Sequence, residues 1–412
     1  MNREEMMRKY ADLLVRLGVA LQKDQYLILE CDAECYELAR HIVHTAMERG
    51  AKDVIVHFRD AYTDKYRAQF GQAEEIKRVL PWQRQSLEYY LERGACSLAL
   101  KSPYPRLLND ISAQAGEALQ VFQNDLRNVI RSHWGISGTV WCIACAPNPD
   151  WAQAVYPELD RQTAYDALWN TLMDLCMVDE KSDPVENWIE FSHRYAKYSR
   201  TLNEIGVDRL HFSSANGTDF VVGFNPKAHW VGGKDKSERT PRDNAGNIPS
   251  NEVATSPDKY RLDGIVHSSR PLVYGGQIID RFWLRFEQGR VTEYFAETGM
   301  DLLTALLNTD EGSRRIGEVA FVECDMPLAK TGRVFYNTLL DENAACHMAL
   351  GNGYAVCIPG LSMTDKDAWA GENLNASAQH IDFMFGTDDM NVDAYTRSGK
   401  VVPVFRSGKF VI

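Results

Sequence analysis

The pattern of apolar residues predicts an α/β protein: an N-terminal, mainly parallel sheet covered by helices, followed by a strand-rich α+β half. Two observations carry this expectation. Strand-like and helix-period runs alternate through the first part of the chain, and short strand-like runs joined by tight-turn dipeptides take over after Val207. The length of 412 residues favours two or three domains over one at about 150 residues each.

The elements follow in order. Gln25 to Cys31 reads as a strand. Cys35, Leu38, Ala39, Ile42, Val43, Ala46 and Met47 then recur at helical spacing, with Asp32 as a candidate N-cap, and the strand-like DVIVHF starts at Asp53. The rhythm repeats: Pro81 to Gly94 is helical, Cys96 to Leu100 is a strand, Tyr104 to Trp134 is helical and Gly138 to Ala144 is a strand. Strands separated by helices in this way predict parallel pairing. Two amphipathic stretches follow, one through Tyr165, Leu168, Trp169, Leu172, Met173 and Cys176, the other through Trp188, Phe191, Tyr195 and Tyr198. The polar segment Asp179 to Pro184 between them marks the expected boundary, giving domains 1–182 and 183–412. Beyond Val207, the pairs Asn216-Gly217, Gln288-Gly289 and Ser407-Gly408 each separate two strand-like runs and predict hairpins.

Composition narrows the function. With 45% hydrophobic and 25% charged residues the chain reads as globular, and its net charge of -12 opposes a polyanionic partner, so nucleic acid is not expected. No run approaches the ~18 apolar residues of a membrane span, and the charged start through Arg3, Glu4, Glu5, Arg8 and Lys9 does not read as a signal peptide. Nine cysteines, an odd number mostly set in apolar runs, suggest a reducing cytoplasm. Cys142 and Cys145 lie in a strand-like run and read as structural thiols, and the glycosylation sequons at Asn216 and Asn375 would go unused there. No GxGxxG follows a strand in the first half, and VGGKDKS near Gly232 lacks P-loop spacing.

The chemistry-bearing residues lie from Glu252 onward. In SAQHIDFMFG, period-2 alternation puts His380 and Asp382 on one face, and Ile381, Phe383 and Phe385 on the other. Such a pair suits a metal ion, but by itself it reads first as a structural hydrogen-bonded pair. Upstream, Glu342 and His347 are ~140° apart around a helix. They converge only if Glu342 lies in the loop or first turn before a helix carrying His347, which Asp341 or Asn343 would cap. Gly351 and Gly353 would end that helix and lead Tyr354 into a strand. Glu318 opens the apolar strand EVAFV and Glu252 ends the loop NIPSNE; singly, each reads as a solvated strand edge. Together, three glutamates, an aspartate and two histidines match the ligand preferences of a pair of divalent cations.

Four stretches, NIPSNEVATSPD (Asn247 to Asp258), RRIGEVAFV (Arg314 to Val322), NTLLDENAACHMALGNGY (Asn337 to Tyr354) and HIDFMFG (His380 to Gly386), resemble in order and spacing the aminopeptidase T/aminopeptidase S family of dinuclear metallo-aminopeptidases. The resemblance implies that the strand-rich half is a metal-binding catalytic domain. Glu252, Glu318, Glu342, His347, His380 and Asp382 would hold two divalent ions, zinc or cobalt first, manganese or magnesium also compatible. Glu318 would bridge them or act as general base, and Tyr354 would stabilise the oxyanion or assist proton transfer. It further implies a homodimer that removes N-terminal residues from short peptides by means of a metal-activated water, in the cytoplasm that the cysteines suggest. Asn251 departs from the family's usual pair of acids in the first motif, and Phe385 replaces an aliphatic residue. The alternative is a mononuclear iron ring-opening dioxygenase, a class similar in fold, with His347, His380 and Asp382 as iron ligands.

Overall fold

The computed structural model describes residues 1–133, 139–234, 240, 242–274, 277–362 and 365–412. The chain divides into two compact units, Met1–Ile189 with Arg239–Pro249, and Glu190–Glu238 with Ser250–Ile412.

The first unit is built on a five-stranded sheet. Its strands lie in the spatial order Asp53–Arg59, Tyr26–Asp32, Cys96–Lys101, Trp141–Cys145 and Asn247–Ile248, and every pairing is parallel. The second strand in sequence lies on one side of the first and the third on the other. Right-handed crossovers therefore send the helix Tyr36–Glu48 to one face and the helices Pro81–Leu91 and Ala113–Arg131 to the opposite face. On that opposite face Ile28 packs against Leu87, Leu91, Val129 and Ile130. Burial on both faces explains the unbroken apolar run Leu27, Ile28, Leu29.

Two expectations change here. Asp32 ends its strand and precedes a single 3₁₀ turn, Ala33–Cys35, without a side-chain capping bond, because the polypeptide tightens before the helix begins. Asn247–Ile248 forms a fifth strand inside the stretch read as a loop; two residues are too few to show alternation. The expected element ends at Trp134 and Gly138 lie outside the described residues. Cys142 and Cys145 are buried in the strand Trp141–Cys145, and none of the nine cysteines is in a disulfide.

The second unit holds two antiparallel sheets. The larger runs Leu272–Tyr274, Gln277–Glu287, Leu262–His267, Asp219–Gly223, Val207–Ser213, Asn391–Thr396, Val401–Arg406 and Lys409–Phe410, with Arg290–Thr298 also pairing to Gln277–Glu287. All three expected hairpins form. At Gln288-Gly289 (φ 48 and 74) and Ser407-Gly408 (φ 47 and 71) both turn residues take positive φ, the conformation that two-residue hairpins demand. The smaller sheet has the order His380–Met384, His347–Gly351, Ile316–Phe321 and Val253–Thr255. Its core-facing side carries Val319, Met348 and Phe383, all buried, and Phe212, Phe220, Phe321 and Phe385 pack in the same core. Phe385 is thus a packing residue, T-shaped against Phe212 at 5.5 Å and Phe220 at 5.3 Å.

Candidate metal centre

Strand register places the six candidate ligands. On the face of the small sheet opposite the core, Glu318 pairs with Ala349 and Ala349 with Asp382, so the two carboxylates flank one alanine across three strands. Directly opposed residues of antiparallel strands share a face. One step along, Ala320 pairs with His347 and with Ala254, and at the other end His380 pairs with Gly351. Ala254, Ala320, Ala349 and Gly351 leave a low floor between the ligating side chains. Glu252 enters from the residue preceding Val253–Thr255, and Glu342 from a 3₁₀ turn, Glu342–Ala344.

Two groups of ligand atoms result, Glu252, Glu318 and His347 in one and Glu318, His380 and Asp382 in the other, the atoms of each lying within 4.8 Å of one another. Glu318 belongs to both. His347 Nε2 lies 3.2 Å from Glu252 Oε2, and His380 Nε2 lies 3.2 Å from Glu318 Oε2 and 3.3 Å from Asp382 Oδ1. Glu342 is close enough to feel the charges of Asp382, Glu252, His347 and Glu318, and burial with the neighbouring acids pushes its carboxyl well above the usual range.

The histidines are oriented from behind. His347 Nδ1 donates to Ala345 O at 3.2 Å and His380 Nδ1 to Asn352 O at 2.6 Å. A carbonyl oxygen only accepts, so each Nδ1 carries a hydrogen; each Nε2 faces the carboxylates, donating to them as an imidazolium and free to offer its lone pair to a cation once deprotonated. Burial pushes the His347 imidazole down, but the hydrogen bond and charge of Glu252, with Asp382 and Glu318 beyond, outweigh it and raise it to about 10. His380 is raised likewise against its burial by Asp382 and Glu318. Burial also raises Glu318, and Asp382 Oδ1 is buried without a hydrogen-bond donor. Four carboxylates around two imidazoles leave an acid excess that bound cations would neutralise. Oxygen and nitrogen donors with no thiolate fit divalent metal ions.

Tyr354 stands at the edge of this cluster, its hydroxyl 3.0 Å from His380 Nε2 and its backbone N–H held by Ser256 Oγ at 2.8 Å. Burial, then the charges of Glu318 and Asp382, raise its phenol, so it carries its proton at neutral pH. The residue as a whole is 37% exposed, with its hydroxyl turned inward against His380.

Three local expectations are corrected. His347 begins a strand, His347–Gly351, rather than riding on a helix; the run is buried at every position, so its apolar residues show neither period cleanly. Tyr354 precedes a 3₁₀ turn, Ala355–Cys357, instead of opening a strand. The capping residue of the short helix Thr338–Asp341 is Asn337; Asn343 instead accepts from Asn251 N at 2.7 Å, and Asp341 from the backbone of Phe335 and Asn337. The supports at Asn352, Ser256 and Asn343 were not foreseen. Asn352 acts through its backbone carbonyl, which leaves no trace in residue type. Asn375, the sequon residue, is 2% exposed and donates to Gly312 O and Gly351 O, which removes it from any modifying enzyme.

Comparison with known proteins places this geometry. The family described as Thermophilic metalloprotease (M29) matches residues 3–410. The chain belongs to this family. Aminopeptidase AmpS of Bacillus subtilis is 35% identical over 406 residues, covering 98% of each chain. Aminopeptidase 2 of Geobacillus stearothermophilus is 36% identical over 412 residues, covering 100% of this chain and 99% of its own. Among solved structures, wild-type AmpT from Thermus thermophilus superposes with a TM-score of 0.87 at 31% identity over 99% of both chains. A 2,5-dihydroxypyridine dioxygenase from Pseudomonas putida shares the fold alone, with a TM-score of 0.53 at 12% identity over 99% of this chain and 97% of its own. M29 membership carries with it the use of divalent metal by a peptidase. No helix among the described residues is long and apolar enough to cross a membrane.

Proposed function

We propose that this M29 protein is a metal-dependent aminopeptidase that removes N-terminal residues from short peptides. The observation that carries the reading is Glu318, a carboxylate shared by two ligand groups that each contain one histidine with its Nε2 directed inward. In this reading Glu252, Glu318, Glu342, His347, His380 and Asp382 hold two divalent ions, zinc or cobalt, with manganese or magnesium compatible with the oxygen-rich set. Such a pair, when bound, would supply polarisation of a carbonyl and acidification of a water. Glu318, from its central position, would hold the proton given up in the attack and pass it to the departing amine. Tyr354, protonated, donates its O–H to the oxygen of the carbonyl as charge develops on it. Asn352 O and Ala345 O hold the imidazoles in the tautomer that ligation needs.

The iron oxygenase reading is not favoured. It needs His347, His380 and Asp382 as one triad, whereas the described groups tie each histidine to Glu318 and include more acids than one iron requires. The functional division at 1–182 and 183–412, a homodimer and a cytoplasmic setting complete the proposal, the last supported by nine cysteines none of which is in a disulfide. The test is hydrolysis of a panel of dipeptides and aminoacyl anilides by metal-loaded protein. Release of the N-terminal residue, abolished by a chelator and restored by added metal, supports the assignment; no chelator-sensitive release from any member overturns it.

A further inference from the structure

In the first unit, Tyr26–Asp32 has Asp53–Arg59 on one side and Cys96–Lys101 on the other, and the crossovers to these neighbours run over opposite faces. Open parallel sheets take up ligands beside the carboxyl ends of their strands at such a point of reversal. The register shows what stands there. Ile28 pairs with Ile55 and Ser97 and packs against residues of the helices Pro81–Leu91 and Ala113–Arg131. Two residues further along the same face, Glu30 pairs with His57 and Ala99; at the strand ends Asp32 pairs with Arg59, and Lys101 completes the row. An apolar row thus gives way to two polar ones.

Three nitrogen groups in this region lack acceptors. His57 Nε2 and Arg127 Nε are buried without a hydrogen bond. Lys101 is half-buried, and its ammonium has no ion-pair partner among the described residues. The other Arg127 nitrogens reach only side chains of its own helix, Asn124 Oδ1 at 3.4 Å and Gln123 Oε1 at 3.2 Å. The charges acting on Lys101 are Arg127, Arg59 and Arg131 against Glu30, and Arg127 sits among Arg59, Arg131 and the same Glu30. Burial first, and these like charges after it, push both groups below their ordinary values. The other acids compensate little. Burial raises the Asp32 carboxyl to about 6 in spite of Arg59 and Lys101. Asp60 caps the helix Ala61–Phe70, and Asp64 is shared between Arg59 at 3.8 Å and Arg67 at 3.3 Å.

We infer that the carboxyl-end half of this face is a binding site for a small oxyanion, a carboxylate or a phosphate, held by Lys101 and Arg127 with His57 as a further donor. A guanidinium takes two oxygens of such a group in its planar fork, and an ammonium adds a point charge. Arg59, its side chain 41% exposed, marks the side from which the anion enters. Gathered cations in a half-buried place are unfavourable until a counter-charge joins them. The site stands whatever reaction the metal centre performs.

The experiment uses the metal-loaded full chain at constant ionic strength, with sodium phosphate or sodium acetate replacing sodium chloride. Amide hydrogen exchange read by mass spectrometry locates each anion, and calorimetry gives its affinity. Slower exchange is expected in peptides covering Cys96–Lys101 and Ala113–Arg131; phosphate alone producing it identifies a phosphate site, acetate alone a carboxylate site, and both a general oxyanion site. Lys101→Met should weaken binding roughly tenfold or more, the scale of one charged hydrogen bond, and Lys101→Arg should recover most of the loss. Protection confined to the small sheet that carries the metal ligands would put the anion at the metal centre and overturn the inference. So would protection of neither region, or an affinity unchanged in both Lys101→Met and Arg127→Met.

Discussion

His380 shows how one side chain is committed by its neighbours. Asn352 O takes the Nδ1 hydrogen, which leaves Nε2 facing Glu318, Asp382 and the hydroxyl of Tyr354. When Nε2 serves as a ligand it no longer accepts from Tyr354, and the phenol is free for substrate. Tyr354→Phe should therefore retain the wild-type metal content while kcat falls by ~10²-fold or more, the scale of one lost oxyanion donor. Steady-state kinetics with a metal assay on the same preparation checks this, and unchanged kcat removes Tyr354 from the mechanism. At this scale His380 and Asp382 were legible, since strand alternation over three residues is short-range and survives any tertiary context. The Asn352 carbonyl was not, because every residue supplies the same backbone acceptor.

The small antiparallel sheet turns scattered acids into a cluster. Ala349 lies in register between Glu318 and Asp382 and is wholly buried, so the added methyl groups of Ala349→Val enter the space the ligands share. Overpacking of this kind costs about 1–3 kcal/mol, and the expected outcome is a marked loss of bound metal by elemental analysis in a protein whose circular dichroism is native. Wild-type metal content in that variant would show that the floor does not set the site. The strand His347–Gly351 was misread as helical for a physical reason: a strand covered on both faces loses its period-2 signature, and only the partner strands decide. In the parallel sheet, Lys101 ends the strand Cys96–Lys101, and burial, then Arg127, push its ammonium down to about 8. A lysine depressed in the folded state and near 10.4 when unfolded opposes folding at neutral pH, and stability rises as pH climbs from about 8 toward 10. Lys101→Met should raise the denaturation midpoint at pH 7 by an amount equivalent to about 1–3 kcal/mol and flatten that rise. Denaturant melts at pH 7 and 9.5 decide it, and a destabilised variant with an unchanged pH slope contradicts the assignment.

Across the whole molecule, four of the acids behind the formal charge of -12 gather at the candidate site. Glu252, Glu318, Glu342 and Asp382 come from segments up to 130 positions apart in sequence (382 minus 252) and meet at one sheet face. Such convergence is invisible to periodicity, which reports only local structure, and the family motifs were what linked these segments before any coordinates. The alternation of strands and helices in the first half was legible because parallel sheets repeat one unit; the two-residue strand Asn247–Ile248, far along the chain from its partner Trp141–Cys145, was not. The decisive measurement is a metal count by mass spectrometry on protein purified without chelator. The account predicts about two zinc, cobalt or manganese ions per chain, as expected for paired hydrolytic cations. One iron per chain, or no bound metal under conditions where peptides are still cleaved, would contradict it.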